Sequence, residues 1–303
     1  MIYTVTLNPA LDKYLTIDTE VKAGAKNFVK VVRRDVGGKG LNVTKVTKSI
    51  EGKSVACAIL GGTVGRTIET KLLEKNFNLI AVYSEQSTRT NSIITDPDGR
   101  RTMLSEAGPK FEAEQTAELK LRLTNIINSG DILVLAGSPP QGAPKSLYAD
   151  WITYFSAKGV KVFTDPSGKF IEETAAAKPY FIKCNHMELG IEPTFEAGDE
   201  AAKALIDKGV TKVVVALADQ GAVYRDSTGK CLKCPALDVP IVSVTGAGDA
   251  MIAGFVAAEE NGRTAEDSMR FAMAVASAKI MTEGTKAPSF SLIKELRPKV
   301  EFI

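Results

Sequence analysis

The stretch VTGAGDA (244–250) runs directly into MIAGFVAAEE, with Asp249 as the one carboxylate among small residues. Gly246 and Gly248 let the backbone bend until successive amides point into one pocket. A helix predicted over 250–260 would bring its N-terminus to the same place, which favours a bound anion. Asp249 then has two readings. It is a first-turn or capping carboxylate, or a general base held beside an anion cradle. For a lone Gly-x-Gly-Asp, capping is the simpler account. A second patch, DVGGKGLNVTKV (35–46), again runs glycines into a helix and carries Gly38, Lys39 and Asn42. It is neither a Walker loop nor a clean dinucleotide fingerprint. Two glycine-rich helix starts at opposite ends of the chain, with Asp12 in NPALD, suggest two ligands that meet.

The elements that must position these residues follow from apolar patterning. Short apolar runs ending in Gly, Asp, Asn or Ser occur at 2–7, 54–62, 131–138, 160–168, 180–185 and 212–221. Helical patterns lie between them at 41–50, 67–77, 113–130, 146–159 and 198–209. Nearly continuous apolar strands alternating with helices predict a parallel sheet covered on both faces. Ligands in such folds gather at the carboxyl ends of the strands, so the polar strand-end residues are candidate site residues as a group. Two stretches break the rhythm. Residues 13–36 alternate polar and apolar, and 88–108 read as a hairpin turning at DPDG (96–99). Half-polar antiparallel strands predict a small sheet beside the main one, acting as a lid.

Bulk composition excludes several classes. The 303 residues hold 38 basic and 36 acidic side chains, a formal net charge of +2. That balance argues against nucleic acid or an anionic membrane as the main partner. The N-terminus lacks a signal-peptide pattern and no apolar run suffices for a membrane span, so a cytoplasmic enzyme is expected. His186 is the only histidine, which disfavours histidine-based triads and multi-histidine metal sites. CLKC (231–234) has no second pair, so it reads as two strand or turn thiols rather than a zinc site.

The motifs TLNPALD, GGKGLN, TRTN, AGSPPQG, KCNHMEL and VTGAGDA occur in an order and spacing that resemble the PfkB (ribokinase-like) carbohydrate kinases, phosphosugar branch, over essentially the whole chain. The resemblance implies an α/β ribokinase-like parallel-sheet sandwich with a β lid. It implies transfer of a phosphoryl group from ATP, with Mg2+, to a ketohexose phosphate. Fructose 1-phosphate is the first choice and tagatose 6-phosphate the alternative. Asp249 would be the base, and the amides of Gly246, Ala247 and Gly248 the anion hole. Phosphoryl transfer asks a protein mainly for positioning and electrostatic stabilisation, so an aspartate of ordinarily low pKa would suffice.

Asp12, Gly38, Lys39 and Asn42 would bind the sugar. Lys39 and the forked guanidinium of Arg89 would neutralise its phosphate, with Lys26 as a further candidate. Lys183, Asn185 and the segment holding Ala216, Ala218 and Gly221 would line the nucleotide site, the adenine lying near 271–280. Glu188 would reach magnesium through water. Dimerisation through the lid is expected from the same resemblance. The chain departs from the family where Ala216-Leu217-Ala218 replaces Ser-Leu-Gly and where Cys184 replaces proline, both on the nucleotide side. A non-catalytic sugar-phosphate-binding protein is the reading those departures motivate. A kinase for a neutral sugar or nucleoside is disfavoured by the pair Lys39 and Arg89.

Overall fold

The computed structural model describes all residues 1–303. In chain order the elements are β1 (Ile2–Thr6), β2 (Ala10–Thr16), β3 (Lys30–Gly37), α1 (Lys39–Ser49), β4 (Ser54–Gly61), α2 (Gly62–Glu74) and β5 (Asn78–Ser84). Then come β6 (Arg89–Thr95), β7 (Arg101–Ser105), α3 (Ala113–Thr124), β8 (Ile132–Ala136), α4 (Leu147–Ser156), β9 (Lys161–Asp165), α5 (Ile171–Ala176), β10 (Phe181–Asn185), α6 (His186–Leu189) and α7 (Phe195–Asp207). The chain closes with β11 (Lys212–Ala216), β12 (Ala222–Asp226), β13 (Cys231–Cys234), α8 (Ala247–Glu260), α9 (Ala265–Ile280) and α10 (Phe290–Leu296).

The apolar runs form a nine-stranded sheet in the order β13-β12-β11-β10-β9-β8-β1-β4-β5. It is parallel from β5 to β11; at one edge β12 pairs antiparallel with β11 and β13 antiparallel with β12. Alternate residues feed opposite faces. Ile2, Ile132 and Val134 join the core built on α8 and α9. Tyr3, Val5, Leu133 and Leu135 join the core under α3 and α4. The chain winds outward from β1 in one direction through β4 and β5, then in the other through β8 to β11. That reversal lies between β1 and β8, where a doubly wound sheet opens a crevice at its carboxyl ends.

A second sheet, in the order β3-β2-β6-β7, stands beside the first. The anticipated hairpin is β6–β7, closed by Gly99 N–H donating to the Asp96 carbonyl at 3.0 Å. The first segment is less regular than its alternation implied: residues 17–29 connect β2 and β3 without forming strand. Register places Asp12 opposite Asp35 on one side and Asn91 on the other, a polar row across three strands.

Other boundaries also differ from expectation. The strand expected over 212–221 ends at Ala216, because Gly221 turns the chain back into antiparallel β12. β5 was not anticipated: its run NLIAVYS is short and half exposed at the sheet edge. Helix α2 starts at Gly62, ahead of its apolar pattern, and α3 stops at Thr124.

The long helices α8 and α9 pack closely because Gly254 meets Ala272. A Cβ added at Gly254 would lie 2.6 Å from the Ala272 Cα. Gly254→Val should therefore destabilise the protein by about 1–3 kcal/mol through overpacking. Urea denaturation checks this, and an unchanged midpoint would show that the two helices separate at little cost.

Candidate active site

Helix α8 begins where Gly246 adopts a left-handed conformation (φ 81°), easy only for glycine, and no side chain caps it. Of the amides expected in the anion hole, Ala247 N–H already donates to the Val244 carbonyl at 3.2 Å. Those of Gly246 and Gly248 have no backbone partner. Two amides at this helix start, those of Gly246 and Gly248, are thus free, while that of Ala247 is engaged. Gly248 also leaves room for Lys183: a Cβ there would lie 2.7 Å from that ammonium and displace it. The bare first turn leaves Asp249, on the third residue of the helix and only 6% exposed, beside the cradle.

The Asp249 carboxylate accepts a hydrogen bond from Asn42 Nδ2 at 2.7 Å. Asn42 lies on α1, which starts at Gly38 with φ 114°, so the two glycine-rich helix starts do meet. Burial, and then the nearby Asp165 charge, push the Asp249 carboxyl up from its ordinary value. Lys39, the Asn42 hydrogen bond and Lys183 pull it back down. A buried carboxylate beside another carboxylate holds its proton more tightly than an exposed one.

Asp165, at the end of β9 and 1% exposed, ties the cluster together. One oxygen is 3.0 Å from Lys39 Nζ and the other 3.3 Å from Lys183 Nζ. Burial opposes its charge, yet Lys183 and Lys39 hold the carboxyl below the usual range. Burial likewise opposes the Lys39 charge, but Asp165, Asp249 and Glu188 outweigh it and hold the ammonium above its ordinary value. Glu188 Oε1 is 3.6 Å from Lys39 Nζ. Its other oxygen accepts from the Asn185 amide at 3.0 Å, while Asn185 Oδ1 accepts from the Glu188 amide at 2.8 Å. Asn185 and Glu188 therefore form a capping box at α6, and Glu188 faces the site as well.

Toward the small sheet, Asp12 is buried and accepts from Asn91 Nδ2 at 2.8 Å. Burial raises its pKa, moderated by Asn91, Lys45 and Arg89. Gly37 lies so close that any side chain there would strike the Asp12 carboxylate. Arg89 starts β6 and donates to the Asn8 carbonyl at 3.4 Å, leaving its Nε buried without a partner. Asn8 Oδ1, Asn42 Oδ1 and Asn91 Oδ1 are also buried and unpartnered. Orphaned buried donors and acceptors are costly, and a polyhydroxylated anion between Asp12, Asn42 and Arg89 would satisfy them. Lys26 does not join this group. It sits on the exposed β2–β3 connection with its ammonium 4.6 Å from the Phe28 ring centroid.

On the nucleotide side, Ala216 ends β11 beside Asn185 of β10. Gly221 is glycine for a local reason: a Cβ would collide with the backbone of Cys234 to Ala236. Ala218 is exposed and left-handed at φ 54°, a conformation that disfavours side chains. Cys231 and Cys234 are free thiols within β13.

Three residues escaped the sequence reading. Asp165 was covered only as one of the polar strand ends. Asn91 lay inside TRTN, where the arginine drew attention. Lys279 gave no signal, being one lysine in a run of small residues on α9. It is 1% exposed, donates to the Gly284 carbonyl at 2.7 Å and approaches Gly246. Burial lowers its pKa to about 8, against the attraction of Asp249.

A doubly wound sheet, a flanking small sheet and a carboxylate at a bare helix start define a ribokinase-like sugar kinase. Residues 7–291 match the pfkB family carbohydrate kinase, and the chain belongs to that family. It is 32% identical over 285 residues to the 1-phosphofructokinase of Borreliella burgdorferi, covering 92% of this chain and 91% of that one. It is 27% identical over 311 residues to the tagatose-6-phosphate kinase of Staphylococcus epidermidis, covering 100% and 99%. Phosphofructokinase-2 of Escherichia coli, solved in complex with potassium, superposes with a TM-score of 0.92 at 25% identity over 98% of both chains.

Ala218→Gly should raise stability by about 0.5–1 kcal/mol, because glycine relieves the left-handed strain and loses only part of that gain to chain entropy. Denaturant titration measures it; a loss of similar size would mean that the Ala218 backbone is unstrained.

Proposed function

We propose that this protein transfers the γ-phosphoryl group of ATP to the free primary hydroxyl of a ketohexose monophosphate, with fructose 1-phosphate as the acceptor. The observation that carries the proposal is Asp249: buried, hydrogen-bonded by Asn42, and set beside the partnerless amides of Gly246 and Gly248. Asp249 accepts the hydroxyl proton as the oxygen attacks phosphorus, and its raised pKa makes it a better acceptor than an exposed carboxylate. The Gly246 and Gly248 amides, with the start of α8, receive charge on the transferring group. Lys39 and Lys183 orient the phosphates, and the Lys279 ammonium adds positive charge behind the cradle. Asp12, Asn42 and Asn91 hold sugar hydroxyls, and Arg89 takes the acceptor phosphate.

A magnesium ion would be held chiefly by nucleotide phosphates and water, with the Glu188 carboxylate, 3.6 Å from Lys39 at the site, as its protein partner. Glu188 would reach it through water. When bound, the ion would neutralise charge on the β- and γ-phosphates.

The small sheet acts as a lid. Arg101 of β7 donates to Ser243 Oγ at 3.0 Å and to the Val242 carbonyl at 3.1 Å, and Arg33 of β3 pairs with Glu283 at 2.8 Å. These contacts hold it against the loops that frame Asp249. The lid and its β2–β3 connection expose Phe28, Val32, Met103 and Leu104, apolar side chains that a second copy of the chain would cover. A tetrameric form is known for phosphofructokinase-2 of Escherichia coli, a relative in fold. No helix is long and apolar enough to cross a membrane.

A second acceptor, tagatose 6-phosphate, is favoured by the Staphylococcus epidermidis relative. The test is ADP release with ATP and magnesium on fructose 1-phosphate, tagatose 6-phosphate, fructose 6-phosphate and free fructose. Fructose 1-phosphate should dominate, and Asp249→Asn should lower its rate by about 10²–10⁴. Dominance of tagatose 6-phosphate would overturn the acceptor and leave the chemistry. Undiminished turnover in Asp249→Asn would overturn the chemistry. Arg89→Ala should raise KM for the phosphosugar at least tenfold with KM for ATP unchanged; equal changes in both would remove Arg89 from the acceptor site.

A further inference from the structure

Between β3, α1, α2 and residues 285–287 lies a cavity of about 400 Å³. Arg34, Lys45, Lys71, Lys75 and Lys286 line it against a single carboxylate, Asp35. Asp35 is already paired with Arg33 at 2.8 Å, and Lys286 with Glu283 at 2.9 Å. Arg34, Lys45, Lys71 and Lys75 have no carboxylate partner. Four cations that form no ion pair, set around one concavity, raise the local concentration of anions.

The ordinary explanation for lysines at a helix end is that they satisfy its terminal carbonyls. That task is already filled: Lys48 donates to the carbonyls of Lys75 and Asn76. Lys45 donates to the Val36 carbonyl at 2.6 Å, and burial drops its pKa to about 8 despite the attraction of Asp35, Asp12 and Asp249. The Thr285 hydroxyl, on the cavity wall, is buried without a hydrogen-bond partner. Leu72 and Phe77 add an apolar side. The volume suits a small metabolite rather than a polymer, and several converging cations suit a phosphate group.

We propose that this cavity binds a small phosphorylated metabolite, outside the reaction centre, and that its occupancy adjusts turnover. Two segments that reach the catalytic cluster line it. Val36 leads directly into Gly37 and Gly38, the start of α1, whose next turn carries Lys39 and Asn42. Thr285 follows Gly284, whose carbonyl holds Lys279. A ligand there contacts both sides of the frame around Asp249. Its effect on turnover rests on the kinase reading above; its binding does not.

The test is calorimetric titration of the full chain with inorganic phosphate, together with ATP turnover as phosphate is added. The double variant Lys71→Glu/Lys75→Glu changes the α2 side of the cavity, and Arg34→Glu changes the β3 side independently. The wild type should show a phosphate-binding class that weakens at least tenfold in each variant. Turnover without added phosphate should stay within twofold of wild type in both, while its response to phosphate disappears. Identical phosphate binding in wild type and both variants would overturn the site. A variant-sensitive site with no change in the turnover response would overturn its regulatory role. A wild type that binds phosphate in this way but phosphorylates no sugar would sink the kinase reading alone.

Discussion

The whole site depends on one buried ion-pair junction, Asp165 between Lys39 and Lys183 at 3.0 and 3.3 Å. Lys183 is 4% exposed and Asp165 1%. Neither charge would survive such burial alone. Together they fix one ammonium from β10 and one from the start of α1 close enough to Asp249 to act on its charge. They also set the field around Asp249. Asp165 raises its proton affinity, and the two lysines lower it. The balance leaves a carboxylate that is buried yet able to ionise.

The fold makes that junction possible. Asp165 ends β9, Lys183 lies within β10 two residues before its end, and Lys39 begins α1. Parallel strands covered on both faces deliver all their ends to one edge. Small residues then let the helices approach: Gly248 clears Lys183, and Gly254 lets α8 lie against α9. The second sheet adds Asp12 and Asn91 from facing strands, so the sugar side is assembled by register rather than by sequence proximity.

Local signals made much of this legible in advance. The continuous apolar runs of β1, β4, β8 and β10 identified the parallel sheet. The two Gly-rich helix starts identified Asn42 and Asp249, whose hydrogen bond joins residues 207 apart in the chain. What stayed hidden was set by tertiary context. Strands β12 and β13 are only five and four residues long, and β5 is half exposed at the other edge. Lys279 looks like any helix-surface lysine until the fold buries it. Glu188 was read as a site acid and Asn185 as a phosphate ligand. The structure adds that the two cap a short helix, a role whose spacing, three residues apart, suits both uses. Lys26 lies on an exposed connection over the Phe28 ring, a setting that an apolar-polar alternation does not reveal.

The most direct measurement is the pH dependence of kcat in the wild type and in Asn42→Ala. If Asp249 is the base and its ionisation is set by this field, activity falls as pH drops through the raised Asp249 pKa. Removing the Asn42 hydrogen bond, which favours the charged carboxylate, should then move that acid limb upward by about one pH unit, corresponding to about 1.4 kcal/mol. An acid limb that stays in place, with only KM altered, would mean that Asn42 serves the sugar alone and that Asp249 does not take the proton.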